Sequence, residues 1–372
     1  MNRRRAISKI AVGIAGTAVI AGSLGYLAGN ISAGRPSPPT TITLERVLTR
    51  TITQEVTKTV APKLEPVDVK WGLVEGARSA VPTFLIYENR KEIAERHGLN
   101  VVDYQVMRGA EGLKALVEKR IDILGPDPIM QFLSVISQAP EVLKAVFFAD
   151  VGMQASLAVR PDLPYNSIEE IRSAIKVGKK LVLGASTAGS LSHTYAIVLA
   201  SILGTKIGEG VQLVFLGDLS AITAALSRGE IDGFAWVPSV HWRLEGEGKA
   251  KVIFYYKDYG TGALWHERVV VTRNDVIRER PELVSRFVRF YRDLIKTYEL
   301  EREYVTSLMA SPPPKGFGFS KELAERWYLF YRPNHLGAPI REALVGARDL
   351  ALASGVTKET PPIEQWYTTA FL

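Results

Sequence analysis

The sequence predicts an α/β protein of two lobes that face each other across a cleft. Three observations carry that expectation. From Val67 onward, short apolar runs alternate with amphipathic stretches of helical period, the pattern of a mainly parallel sheet crossed by helices. The rhythm breaks at "QASLAVRPDLP" and then restarts, which divides the chain into two such series. One unit also recurs. "KALVEKRIDILGPDP" and "AALSRGEIDGFAWVP" align at a constant offset, so that Ala115-Leu116 matches Ala225-Leu226, Ile121-Asp122 matches Ile231-Asp232, and Pro128 matches Pro238. Each copy reads as a helix, a short turn, a strand, and a proline where the next helix should start.

In chain order, the first element is basic and then apolar. Arg3, Arg4, Arg5 and Lys9 precede "IAVGIAGTAVIAGSLGYLAG", 20 residues without a charge. At about 1.5 Å per residue such a helix spans about 30 Å, the thickness of a bilayer core. Paired arginines before a mild, Gly/Ala-rich run fit a twin-arginine export signal, cleaved after Ala28 or Ala33. They fit an uncleaved anchor as well. Either way the basic end stays in the cytoplasm and the rest of the chain goes out. This export signal or anchor is expected over 1–33. Residues 34–66, crowded with threonine and bracketed by prolines, have little to bury and read as a linker or stalk, of a composition often O-glycosylated outside cells.

Charge and cysteine exclude several classes. Lys+Arg 46 against Asp+Glu 39 gives +7, and the leader supplies four of those charges. The remainder is only mildly basic and makes no case for nucleic acid. The chain has no cysteine, which removes disulfides, thiolate metal sites, cysteine nucleophiles and a lipidated cysteine.

"VDVKWGLVEG" opens the folded part as a strand running into a loop. "PTFLIYENRKEIAERHG" reads as one amphipathic helix stopped by Gly98. "LNVVDYQV", "IDILGPDP" and "VLKAVFFADV" are strands, with helices "AEGLKALVEKR" and "IMQFLSVISQAP" between them. The second series runs "SIEEIRSAIKVGK", "KLVLGA", "LSHTYAIVLASILG", "VQLVFLG", "LSAITAALSRG", "EIDGFAWVP", and the strand "KVIFYY". After "WHERVVVTR" the chain is almost wholly helical, beginning with a long amphipathic helix at Pro281.

In open parallel sheets, ligands bind beyond the carboxyl ends of the strands, where the strand order reverses. The candidate loops are therefore 75–80, 108–110, 125–128, 185–193, 217–220 and 236–239. In the fourth, Ser186, Thr187, Ser190 and Ser192 crowd the start of a helix whose first N–H groups have no partner within it. Capping needs one hydroxyl. Four beside free N–H groups suit an anionic or strongly polar group. His193, in the first turn, fits a neutral role at the cleft and fits solvent equally. A Ser–His nucleophile is disfavoured, because no G-x-S-x-G elbow is present and the residues are too close in sequence for triad geometry. Arg78 with Ser79, and Arg108 with Gly109, lie in two other loops, where a guanidinium suits carboxylate, sulfonate or phosphate. Asp127 and Asp218 would add acceptors for a donor-bearing ligand, and Trp236 a surface for stacking or for core packing. Five histidines without ligand spacing, and the lack of a nucleotide-type Gly-rich loop, point to no metal and no cofactor.

The order of "GLNVVDYQVMRGAEGLKALVEKRIDILGPDP", "LAVRPDLPYNSIEEI", "GKKLVLGASTAGSLSHTYAIVLASILG", "VQLVFLGDLSAITAALSRGEIDGFAWVPSV" and "VVVTRNDVIRERPELVSRFVRFYRDLI" resembles the periplasmic substrate-binding proteins of ABC importers in the nitrate/sulfonate/taurine group. That group also holds binders of thiamine pyrimidine precursors. The resemblance covers residues 67 to 372. It implies a type II periplasmic binding protein fold, with lobe 1 over 67–154 plus 264–372, lobe 2 over 155–263, and crossing segments near 154–160 and 265–272. The group's Gly-Ser-Thr loop corresponds to Ala185, Ser186 and Thr187, with alanine in place of glycine. A branch of this fold that makes thiamine precursor carries a cysteine-rich motif absent here. Menaquinone-pathway enzymes of the fold are cytoplasmic, against which the leader argues.

The resulting expectation is an exported, membrane-tethered, monomeric solute receptor that delivers to an ABC permease and its ATPase subunit and catalyses nothing. An enzyme on the same fold, using His193 or Asp127, and a surface sensor domain are the alternatives.

Overall fold

The computed structural model describes residues 64–74, 81–107 and 111–372. The expected leader, the expected linker as far as residue 63, and the loops 75–80 and 108–110 lie outside the described residues. Among the described residues no helix is long and apolar enough to cross a membrane.

Among the described residues ten strands form two five-stranded sheets. The first contains β1 (Val67–Val74), β2 (Leu99–Met107), β3 (Ile123–Pro128), β4 (Leu143–Phe148) and β10 (Arg268–Arg273), in the order β2-β1-β3-β10-β4. The second contains β5 (Ser156–Val159), β6 (Leu181–Ala185), β7 (Val211–Phe215), β8 (Gly233–Trp236) and β9 (Lys251–Tyr255), in the order β7-β6-β8-β5-β9. The two orders are one plan. β1 pairs in parallel with β2 and β3, as β6 does with β7 and β8. In each sheet the reversed strand, β10 or β5, is the one that arrives from the other half of the chain and inserts antiparallel between two neighbours. The sheets are therefore mixed, with one reversed strand each.

The sequence repeat has a structural counterpart. Asp122 N–H donates to Lys70 O on β1, and its Oδ2 accepts from the Lys70 N–H at 2.9 Å. Asp232 does the same at Val182 on β6, at 2.8 Å. Both carboxylates also meet an arginine: Arg280 at 3.0 Å for Asp122, and Arg160 at 3.6 Å for Asp232. Each aspartate thus ties the entry of its strand to the strand beside it.

Two crossings join the halves, over 149–155 and 256–267, and run side by side. Gly152 N–H donates to Trp265 O at 2.7 Å, and Met153 N–H to Gly262 O at 2.8 Å. These crossings lie earlier than 154–160 and 265–272. Residues 156–159 are already β5, because the apolar run Ser-Leu-Ala-Val pairs with a strand on both sides. Residues 268–273 are β10 for the same reason.

Helices cover the sheets. α1 (Pro82–Asn89) and α2 (Glu92–Arg96) replace the single helix expected there. The break falls at Arg90, whose guanidinium is drawn to Glu301 at 2.7 Å and over the Tyr304 ring at 3.7 Å. The Asn89 amide is likewise bound to Lys315 O, and these tertiary anchors outweigh local helix periodicity. Next come α3 (Glu111–Val117), α4 (Ile129–Ile136), α5 (Ile168–Lys176), α6 (Leu191–Ile202), α7 (Leu219–Arg228), α8 (Pro238–Gly246) and α9 (Asn274–Glu279). The chain ends with α10 (Pro281–Leu300), α11 (Arg302–Ala310), α12 (Lys321–Phe330) and α13 (Arg341–Ala353). Trp71 of β1 is the hub under α1 and α10. It is wholly buried, its indole N–H donates to Gly125 O at 2.9 Å, and Phe84, Tyr87, Tyr104, Phe287 and Phe290 surround it.

α12 follows the first sheet's last strand in sequence but packs on the second sheet's α8 and β9. Trp242 lies 6.2 Å from Trp327 and 5.6 Å from Phe330. Phe330 also meets Tyr255 at 5.3 Å, and the Lys257 ammonium sits 3.6 Å over its ring. Arg326 stacks on Trp242 at 4.1 Å and donates to Tyr255 Oη at 3.0 Å. This aromatic clasp joins the halves at a third place.

Candidate ligand cleft

Both sheets reverse their strand order beside their first strand, between the parallel neighbours β1 and β3 and between β6 and β8. Those two switch points open onto one cleft of about 1290 Å³. Val74, Pro126, Pro128 and Gln131 line it from the first sheet's side. Ser186, Thr187, Ser190 and Ser192, then Asp218, then Trp236 line it from the second. A third wall comes from the loop before α12, with Phe317 and Phe319.

The hydroxyl loop is built by its own side chains. Ser190 caps α6: its Oγ accepts from His193 N–H at 3.3 Å and donates to Thr187 O at 2.7 Å. Ser192 is buried, and its Oγ accepts from Ser186 N–H at 2.9 Å and lies 3.0 Å from the Ser186 and Ser190 hydroxyls. Ser186, Ser190 and Ser192 therefore hold the loop in shape, and Thr187 is the exposed hydroxyl of the set. The turn needs Gly189, whose φ of +79° is left-handed. Gly189 N–H donates to His193 Nδ1 at 3.0 Å, so that nitrogen carries no proton. Burial lowers the imidazole pKa and favours the same neutral form. His193 packs edge-on to Phe215 at 5.4 Å and does not line the cleft; its part is to fix the loop.

Asp218 is accounted for in part by capping, since its Oδ1 accepts from Ala221 N–H at 2.8 Å at the start of α7. Asp127 is a correction to the expected arrangement. It lies between the cleft-lining Pro126 and Pro128 and, by strand alternation, its side chain does not reach the cleft surface. It is wholly buried, neither carboxyl oxygen has a hydrogen-bond partner, and burial pushes its pKa well up. Arg78, Ser79, Arg108 and Gly109 lie outside the described residues.

At the cleft floor, where the crossings meet, sits a buried charged group that sequence reasoning missed. Arg268 pairs with Asp150 at 2.9 Å and with Glu267 at 2.5 Å. Asp150 Oδ1 also accepts the N–H groups of Glu267 and Arg268, and Glu267 accepts from Gln154 N–H and from the Tyr195 hydroxyl, both at 2.6 Å. Burial raises both carboxyl pKa values while Arg268 opposes it; burial alone would lower the Arg268 pKa, and the two carboxylates hold it charged. Tyr195 stands on α6, one turn beyond Ser192, so the hydroxyl loop and the crossing share one network. The "HER" run after Trp265 was the available signal. "GFGFS" was the signal for the Phe317–Phe319 wall, an aromatic pair in a Gly-rich loop ahead of a serine cap. Among the described residues no group of three or more His, Asp or Glu is placed to hold a metal ion.

Residues 189–296, which run from the hydroxyl loop to α10, match the family model described as NMT1/THI5 like. No curated protein sequence matches the chain. Among solved structures, the periplasmic aliphatic sulphonate binding protein SsuA from Escherichia coli superposes with a TM-score of 0.63 at 14% identity, over 82% of this chain and 92% of that one. The Candida albicans CA3427 gene product, described as having the generic periplasmic binding protein fold, gives 0.61 at 16% identity, over 82% and 96%. The periplasmic nitrate-binding protein NrtA from Synechocystis PCC 6803 gives 0.54 at 11%, over 82% and 92%. The fold is that of the periplasmic binding proteins. The family model and these neighbours match the group that the sequence resembles, and the periplasmic binding protein fold accounts for the paired sheets, the double crossing and the cleft at both switch points.

Proposed function

We propose that this chain is the extracytoplasmic solute-binding receptor of an ABC import system. The observation that carries the reading is the single cleft into which both switch points open, floored by the two crossings about which lobes can turn. The lobes are taken as 67–154 plus 264–372 and 155–263. Thr187 and Ser186, beside the start of α6, and Trp236 would contact a small polar or anionic organic solute, of the sulfonate, nitrate or taurine class. Arg78 and Arg108, from the loops after β1 and β2, would add charge. Trp236 also supports a heterocycle such as a pyrimidine vitamin precursor as the second candidate.

Ligand contacts made from both lobes favour the closed form, and the closed form docks on a permease whose ATPase subunit supplies the energy. The solute leaves unchanged, so the chain is a binder and not an enzyme. It acts as a monomer, exported and tethered through residues 10–29.

A thermal-shift screen of the full chain with sulfonates, nitrate, taurine and pyrimidines tests this. A ligand at 100 times its dissociation constant adds about 2.7 kcal/mol of stability. Recovery of that ligand unchanged is the expected result, and its chemical conversion would overturn the reading. Ser186→Ala with Thr187→Val should weaken binding without loss of fold.

A further inference from the structure

The described lining of the cleft is unevenly divided. Its charged side chains balance: Arg243, Arg268 and Arg326 against Asp218, Glu245 and Glu322. Two of those guanidiniums are already engaged, Arg268 by Asp150 and Glu267 and Arg326 by Trp242 and Tyr255. The polar lining that remains is the hydroxyl loop together with Gln131, Ser239, Arg243 and Ser320. The rest of the lining is largely apolar and ring-bearing. Trp236 on the second sheet's side and Phe317 and Phe319 on the third wall are each half-buried with surface in the cleft, and Leu191, Leu219 and Leu323 add to the apolar lining. Phe317 and Phe319 pack ring on ring at 5.1 Å, which fixes their orientation.

Half-buried rings in a concavity are surface still to be removed from water, and a ligand that covers them gains in proportion to the apolar area it covers. A four-atom oxyanion cannot cover them. It has the bulk of one or two waters, at ~30 Å³ each, and would leave nearly all of the 1290 Å³ to solvent. Cavities that hold drug-sized ligands run to about 300–1,000 Å³, with mostly apolar linings and a few polar groups that orient the ligand. This cleft is somewhat larger, with a lining of that kind.

We infer that the solute is an aromatic acid, a planar ring body carrying one small oxygen-rich head, with the head on the Thr187 side and the ring between Trp236 and the Phe317–Phe319 pair. The inference rests on the receptor reading and narrows it, since nitrate and short alkyl acids would miss the ring wall.

Calorimetric titration of the full chain with a series of one head and growing body tests it: nitrate as the bare ion, then methanesulfonate, benzenesulfonate and naphthalene-2-sulfonate, with acetate and benzoate as a second head. Affinity should rise at least tenfold from the methyl to the naphthyl acid. Trp236→Ala and Phe319→Ala should each cost the naphthyl acid at least tenfold, and by a clearly larger factor than they cost methanesulfonate. Phe319→Leu keeps apolar bulk without the ring and guards against a folding defect; its loss should fall between the parent and Phe319→Ala. Equal affinity across the series, unchanged naphthyl binding in the ring variants, or no binding of any aryl acid overturns the inference. Small acids that bind as well as aryl ones would leave the receptor reading standing. An aryl acid that binds but is recovered altered would do the reverse.

Discussion

The two sheets repeat one plan, and they agree where the plan is framework and differ where it meets the cleft. Asp122 and Asp232 perform the same task on β1 and β6 with nearly the same distances. A few residues on, the copies part. β3 runs out through Gly125, Pro126 and Asp127, where Gly125 is pressed against the backbone of β10 and a carboxyl is sealed inside. β8 runs out through Ala235 and Trp236, which puts a ring on the cleft wall. Strand pairing constrains the entry of each unit, while the exit is left to whatever the cleft needs.

The largest effect is expected where neither sheet but the junction is touched. Arg268→Ala leaves Asp150 and Glu267 buried without their cation and should cost about 3–5 kcal/mol in urea unfolding. A loss under about 1 kcal/mol would mean that the crossings are not held by this network.

Next in size is acid. His241, at the second sheet, is buried with Ser156 Oγ 2.7 Å from its Nδ1, and burial holds its pKa at about 3. His266, in the crossing, donates from Nδ1 to Asp150 O and accepts at Nε2 from Ile340 N–H; burial lowers its pKa to about 4, against that carbonyl's opposing pull. Both folded values lie below the unfolded one, so the folded state takes up fewer protons. Their stabilisation is complete above pH ~6.5 and is lost as pH falls toward the folded values, at about 1.4 kcal/mol per unit, or about 2 kcal/mol each by pH 5. Asp127, Asp150 and Glu267, with raised pKa values, pull the other way. The stability gap between the parent chain and His241→Gln isolates one histidine: it should narrow by about 2 kcal/mol from pH 7 to pH 5. A constant gap would contradict a buried neutral imidazole.

The smallest effect bears most directly on the comparison. Asp122→Ala and Asp232→Ala should each cost about 1–2 kcal/mol, agree within about 0.5 kcal/mol, and add in the double variant. A marked inequality would show that the two copies share a pattern without sharing a role.

Much of this was legible in the sequence because it is local. The strand and helix rhythm, a serine cap in the hydroxyl loop, the glycine stop at Gly98 and the Pro281 start follow from residues within one turn of each other. The repeat was legible because Asp122 and Asp232 sit at one position of one motif. What local pattern could not supply was decided by distant residues. Glu301 and Tyr304 break the helix at Arg90, and the ring wall of Phe317 and Phe319 meets the cleft far from the loops that define it. Asp127 departs from the expectation for a polar residue in a candidate loop, because strand alternation between two lining prolines turns it inward.

The clasp of α8 and α12 has an optical consequence. Trp242 and Trp327, 6.2 Å apart, belong to opposite halves of the chain. Indole emission responds to the packing and polarity around the ring, so the lobe closure proposed above would alter the light the native protein emits. Under that proposal the chain carries its own gauge of opening and closing, readable without a label while a solute is added.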